Sequence, residues 1–109
     1  MEIVWSSLAT EELLSILEYV ESDFDIRVSQ RVYEELTNHI NLLADFPLLG
    51  IHDELYSTKN IEVRYLINKQ NIIYYLIYKK AVYVLSIANC NQSPERIQKN
   101  IADYLRHFK

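Results

Sequence analysis

The chain has 109 residues, half of them apolar, and a net charge of −4. That is one domain, residues 1–109, long enough to bury a core without metal or disulfide staples. A single cysteine, Cys90, excludes an intrachain disulfide, and neither a basic leader nor an apolar run near the ~20 residues of a membrane span occurs, so the expectation is a cytoplasmic protein without membrane attachment.

Glu2-Ile3-Val4-Trp5 alternates weakly and predicts a short first strand. Ser6 or Ser7 offers a side-chain oxygen to the free amides of a helix start. Ala9, Leu13, Ile16, Leu17 and Val20 then recur at helical spacing and predict a helix to about Glu21. Ser22-Asp23-Phe24-Asp25 breaks the pattern, and Asp25 can cap a second helix. Val28, Val32, Leu36, Ile40 and Leu43 predict that helix from Ile26 to Asp45. So short a connection makes the pair an antiparallel hairpin. Phe46-Pro47-Leu48-Leu49-Gly50 ends it, because Pro47 disfavours helix at Phe46. Gly50 is the only glycine in the chain, and the simplest reason for it is a positive φ.

Residues 51–60 read as polar and irregular. Val63–Ile67, Ile72–Tyr78 and Ala81–Ala88 are apolar runs rich in Val, Ile and Tyr, separated by breaks too short for a parallel crossover. They predict a three-stranded antiparallel meander. Ser93 then caps a C-terminal helix with Pro94 at its first position, and Ile97, Ile101, Tyr104, Leu105 and Phe108 form its apolar stripe. The fold class is therefore α+β: N-terminal strand, helical hairpin, meander and C-terminal helix.

Charge divides this chain sharply. Residues 1–56 hold two basic and twelve acidic groups, a balance of −10; residues 57–109 hold nine basic and three acidic, a balance of +6. One reading is solvated helix faces and a sheet edge guarded by lysine. The other is a basic functional face on the sheet opposite an acidic back. The run Ile72–Tyr78 is apolar on both faces, and the hairpin can cover only one. The other face lies under the last helix, under a partner, or open with its tyrosines outward; the nine tyrosines fit core filling or a wet-tipped surface.

Chemistry-bearing motifs are few. There is no phosphate-binding glycine loop, no Cys/His metal cluster and no nucleophile elbow, so no cofactor or metal is implied. His39, His52 and His107 are scattered, and Cys90 at a strand end reads as an inert buried thiol before a nucleophile.

The element order, Trp5-Ser6 with Ala9, Leu13, Ile16 and Tyr19-Val20, the Phe46-Pro47…Gly50 stop, and Arg64-Tyr65-Leu66…Asn71-Ile72-Ile73-Tyr74 together resemble the RelE/ParE superfamily of bacterial toxins. The stretch from Asn89 to Ile97 is similar to a segment of a ParE-like branch. The resemblance implies the toxin of a type II toxin–antitoxin module, neutralised by a cognate antitoxin protein. ParE-like members act by protein–protein contact on DNA gyrase; RelE-like members cut mRNA in the ribosome with Lys and Arg side chains and no metal. Shared fold cannot choose between these. Arg64 matches the family's strand arginine, with an ion pair or packing along the sheet as its plainer role. Where the family commonly has an arginine and a preceding aspartate, this chain has Asn91 and Asn89, which removes charge from that corner and favours the ParE-like reading or a degenerate toxin kept as a binding module. For a nuclease the candidate cations are Lys59, Arg64, Lys69 and Arg96. For partner binding the candidates are Arg64, Tyr74, Tyr75, Tyr78, Asn89, Asn91 and Gln92, on the tyrosine face and the groove beside the hairpin.

Overall fold

The computed structural model describes residues 1–89 and 92–106. The chain runs β1 (Glu2–Trp5), α1 (Ser7–Asp23), α2 (Ile26–Asn41), a 3-10 turn (Leu42–Ala44), β2 (Ile51–Asp53), β3 (Val63–Asn68), β4 (Asn71–Tyr78), β5 (Ala81–Asn89) and α3 (Pro94–Leu105). The α+β class and the hairpin–meander–helix order are as the sequence predicts. What is expected of Cys90, Asn91, His107 and Phe108 falls outside the described residues.

All three helix starts use the anticipated side chains. Of the two serines it is Ser6 that caps α1, its hydroxyl accepting from the Ala9 N–H at 2.9 Å. Asp25 accepts from Val28 N–H at 3.0 Å and Ser93 from Arg96 N–H at 3.3 Å. The second helix stops short of the expected Asp45: regular turns end at Asn41, and the tighter 3-10 turn lets Leu43 drop fully into the core.

The meander is the centre of a five-stranded sheet of order β1-β5-β4-β3-β2. β1 lies parallel to β5, with Glu2 opposite Ala81 and Trp5 opposite Val84. At the other edge β2 pairs antiparallel with β3, Ile51 opposite Tyr65 and Asp53 opposite Val63. This corrects the expectation of an irregular stretch over residues 51–60. Three residues carrying a His and an Asp hold no period-2 signal; the exposed edge of β3 templates the strand. Between β4 and β5 the register shifts at Tyr74/Tyr75, whose partners are Ser86 and Val84, so Leu85 is skipped.

The sheet is covered on both faces. Ile73 and Tyr75 of β4, with Leu66, Val82, Val84 and Ile87, pack against Ala9, Leu13, Leu36 and Ile40 of the hairpin. Tyr74 and Leu76, with Val63, Leu85 and Ala88, pack against Ile97 and Ile101 of α3. Burying those two isoleucines contributes about 1.5–3 kcal/mol each. Tyr74 is 7% exposed and Tyr75 0%. The open tyrosine face is therefore corrected: the last helix covers it, and the run apolar on both sides is the signature of a central strand between two layers.

Two turns carry unusual backbone. Lys79 (φ 48°) and Lys80 (φ 63°) form the two-residue link from β4 to β5, and Lys69 (φ 56°) opens the link from β3 to β4. Two successive left-handed residues match the twist of a tight hairpin, a place where Asn-Gly is the ordinary choice.

Candidate functional site

Gly50 does not have a positive φ, and the expectation is corrected by what surrounds it. A Cβ built there meets Tyr75 Cε1 and Oη at 2.6 Å and the Tyr65 carbonyl oxygen at 2.8 Å. Close approach, not backbone freedom, selects glycine. The approach serves a clamp. The Tyr75 hydroxyl accepts from Gly50 N–H at 2.8 Å and donates to the Pro47 carbonyl at 2.8 Å. Arg64 Nη1 donates to the Gly50 carbonyl at 2.7 Å and reaches that of Leu48 at 3.5 Å. Two sheet side chains thus hold the loop after the hairpin, joining the Phe46-Pro47…Gly50 stop to the Arg64 strand.

Arg64 also donates through Nε to Glu62 Oε1 at 2.8 Å, and His52 Nδ1 lies 2.9 Å from Glu62 Oε2. Partial burial pushes the Glu62 carboxyl up, but the hydrogen bonds from Arg64 and His52 and their charges outweigh it and leave its pKa lowered. Burial also pushes the Tyr75 hydroxyl up, against the Gly50 hydrogen bond and the nearby Arg64.

The other predicted residues lie apart. Lys69 reaches across to α2, its Nζ 2.8 Å from Glu35 Oε2, and next to it Asn68 Nδ2 lies 3.0 Å from His39 Nδ1. These four side chains, with Leu42 and Ile67, line a shallow groove of about 660 Å³ beside the hairpin. Lys59 is exposed in the loop before β3, and Arg96 is exposed in the first turn of α3. Five residues of extended strand separate Arg64 from Lys69, about 17 Å. Arg64 and Lys69 therefore do not converge.

Tyr74 stacks edge-on to Tyr56 at 5.3 Å between ring centroids, and burial first, then the neighbouring Tyr56, Asp53 and Tyr65, push its hydroxyl up to about 12. Tyr78 is half-buried, lies 6.5 Å from the Tyr83 ring, and has Lys79 Nζ 5.4 Å from its own centroid. Asn89 N–H donates to Gln92 Oε1 at 2.8 Å, and the Asn89 carbonyl accepts from Gln92 N–H at 2.9 Å. These bonds tie Asn89, the last residue of β5, to Gln92. Among the described residues, no three His, Cys, Asp or Glu side chains come together to hold a metal ion, and no helix is long and apolar enough to cross a membrane.

Two features have no counterpart in the sequence pattern. Glu12, which helical spacing places off the apolar stripe of α1, is drawn onto β5: its Oε1 accepts from the Ser86 hydroxyl at 2.8 Å and from Ile87 N–H at 2.9 Å. β1 ends opposite Val84, and Glu12 with Ser6, whose hydroxyl donates to the Leu85 carbonyl at 2.8 Å, replaces it along the next stretch of edge. Burial raises the Glu12 pKa despite those bonds and the charge of Arg96. No spacing in the sequence signals this tie. The second feature is a run of exposed apolar residues after α2, leading into the stretch that reads as a polar loop.

The fold of this chain is similar to that of a solved structure described as the chromosomal ParDE TA system from P. aeruginosa. The two are 13% identical, with a TM-score of 0.66 over 82% of this chain and 95% of that one. The family model described as ParE toxin of type II toxin-antitoxin system, parDE, matches residues 3–94. The chain belongs to the ParE toxin family. No curated protein matches it.

Proposed function

We propose that this chain is a type II toxin that works in the cytoplasm by gripping another protein, with DNA gyrase the target its family suggests, and that a cognate antitoxin neutralises it. The observation that carries this reading is the engagement of Arg64. A nuclease that stabilises phosphate charge needs a free guanidinium fork, and here the fork is taken up by Glu62 and the Gly50 carbonyl. Lys69, the next candidate, is paired with Glu35 and lies far along the strand. The family match over residues 3–94 supports the toxin role itself.

The test is DNA supercoiling by purified gyrase with excess protein, with and without the product of the neighbouring gene. Inhibition that the neighbour relieves is the expected result, together with co-purification of the two. Full supercoiling activity sinks the gyrase reading. Cleaved mRNA in a translating extract replaces it with the nuclease, and normal growth on expression without antitoxin replaces it with a degenerate binding module.

A further inference from the structure

Trp5, the only tryptophan of the chain, lines a cleft of about 370 Å³ with Thr10, Leu13 and Leu14 of α1 and Tyr33, Thr37 and Asn41 of α2. That is room for a small organic molecule, between walls that are mainly apolar with a few polar groups among them, the usual make-up of a ligand site. Helical spacing builds it: Tyr33, Thr37 and Asn41 stand at every fourth position, and Thr10 and Leu14 do the same on the antiparallel helix. Among the described residues the Trp5 indole N–H, the Tyr33 hydroxyl and the Asn41 side-chain amide make no hydrogen bond. The threonine protons are already used. Thr10 Oγ1 donates to the Ser6 carbonyl at 3.1 Å and Thr37 Oγ1 to that of Tyr33 at 2.7 Å. Toward the cleft each of these oxygens can only accept.

The charge around the cleft is negative: residues 7–41 hold eight acidic and two basic groups. Glu11 and Glu18 stand within one helical turn of Leu14, and Glu34 within one turn of Thr37. The two arginines lie off this face, Arg31 about 120° round α2 from Thr37 and Arg27 about 15 Å along its axis. The Met1 ammonium at the start of β1 is bonded to the Ala44 carbonyl at 2.7 Å, and Glu2 beside it adds a further carboxylate. We propose that the cleft binds a small free organic cation, a guanidinium carried on a short apolar body. Its several N–H groups donate to Thr10, Thr37 and Asn41 Oδ1, which need donors. Its planar face lies against Trp5 and Tyr33, rings that attract a cation. The surrounding carboxylates favour positive charge and disfavour an anion. Trp5 belongs to β1 and Arg64 to β3, with two strands between them, so the cleft is separate from the clamp. The inference goes beyond the toxin's macromolecular target, since it concerns a ligand.

The experiment is a titration of the ¹⁵N-labelled full chain with benzylguanidine, with benzylurea, its neutral counterpart of the same shape, and with phenylacetate. The single indole N–H signal of Trp5 reports on the cleft directly. Benzylguanidine is expected to shift that signal and the amides of residues 10–14 and 33–41, with a Kd of about 1 mM or tighter that weakens as salt rises. Benzylurea binds at least about tenfold more weakly, and phenylacetate does not bind. Tyr33→Leu keeps an apolar wall and loses the ring; the side chain is 48% exposed, so thermal unfolding stays unchanged while affinity falls about fivefold. Glu34→Gln lowers the affinity and flattens its salt dependence, which a purely steric cleft would not show. Equal binding of benzylguanidine and benzylurea, shifts that miss Trp5, no shifts at about 10 mM ligand, or unchanged affinity in Tyr33→Leu overturns the proposal. So does a short arginine peptide that binds at the same residues more tightly than benzylguanidine, because it gives the cleft to a protein side chain. A gyrase assay without inhibition leaves these readouts untouched, so the two readings fail separately.

Discussion

Replacing Gly50 by alanine tests the clamp directly. The new methyl would stand 2.6 Å from Tyr75 Cε1 and Oη, so the ring must retreat by 0.8 Å to reach an ordinary 3.4 Å contact. Tyr75 is fully buried and has nowhere to go, and the third neighbour, the Tyr65 carbonyl, is backbone of a strand paired on both sides. Overpacking of this sort costs about 1–3 kcal/mol. Withdrawing the hydroxyl also strands the Gly50 N–H and the Pro47 carbonyl, for about another 1–3 kcal/mol. Tyr75→Phe alone incurs only the second cost. In the double variant the stranded groups are counted once and the hydroxyl half of the clash is gone, so its loss falls short of the summed singles by about 1.5–4.5 kcal/mol. Urea denaturation of the four proteins, read as midpoint at constant slope, measures all of this. Gly50→Asn separates the two explanations for the glycine, because asparagine tolerates left-handed backbone but is larger than alanine; it should be the worse of the two here. A Gly50→Ala cost below about 0.5 kcal/mol, or singles that add, would refute the close-approach account.

The same geometry sets four other expectations. Tyr74 keeps its proton in the native state to about 12 while the unfolded chain loses it near 10, so stability is full below 10 and declines as pH rises through 12; Tyr74→Phe flattens that part of an alkaline denaturation curve. Glu12 has a native pKa raised above its usual 4.5, so its contribution is full below 4.5 and is lost as pH rises through the native value; Glu12→Gln, which keeps an acceptor for Ser86 and Ile87, gains on the wild type as pH is raised to neutrality in a urea series. Ser6→Ala removes a cap and a donor to β5 together, and calorimetry should show a loss of about 2–3 kcal/mol. Lys80→Gly relieves a left-handed lysine and should raise stability by about 0.5–1 kcal/mol in the same measurement.

The parts of the fold that were legible in the sequence are those whose signal is local. Ser6, Asp25 and Ser93 sit just before apolar periodicity, and a cap needs nothing beyond its own next three residues. The meander is legible because Val, Ile and Tyr fill whole strands between short breaks. β2 was not, because its pairing is dictated by β3 and not by Ile51-His52-Asp53. The reason for Gly50 was not, because the ring that crowds it arrives from a strand 25 residues later. At the site, Arg64 could be singled out as a sheet arginine, yet its partners Glu62 and Gly50 emerge only when the loop folds back. The tyrosines misled for a definite reason: a ring that is apolar in body and polar at the tip suits a wet surface and a buried bond to a carbonyl equally well, and Tyr75 takes the second.

The position of β5 has a consequence for synthesis. Its neighbours are the first strand of the chain and the fourth, and it also receives Ser6, the cap of α1, and Glu12 within that helix. A nascent chain halted before Ala81 leaves β1 with nothing to lie against and the hairpin without its main support, although nearly three-quarters of the protein has already been made. Closure waits on contacts between residues 79 positions apart, the kind of long-range pairing that is slow to form. Until the ribosome has released that strand, the polypeptide is a pair of amphipathic helices and an unfinished sheet, with its greasy surfaces still in water.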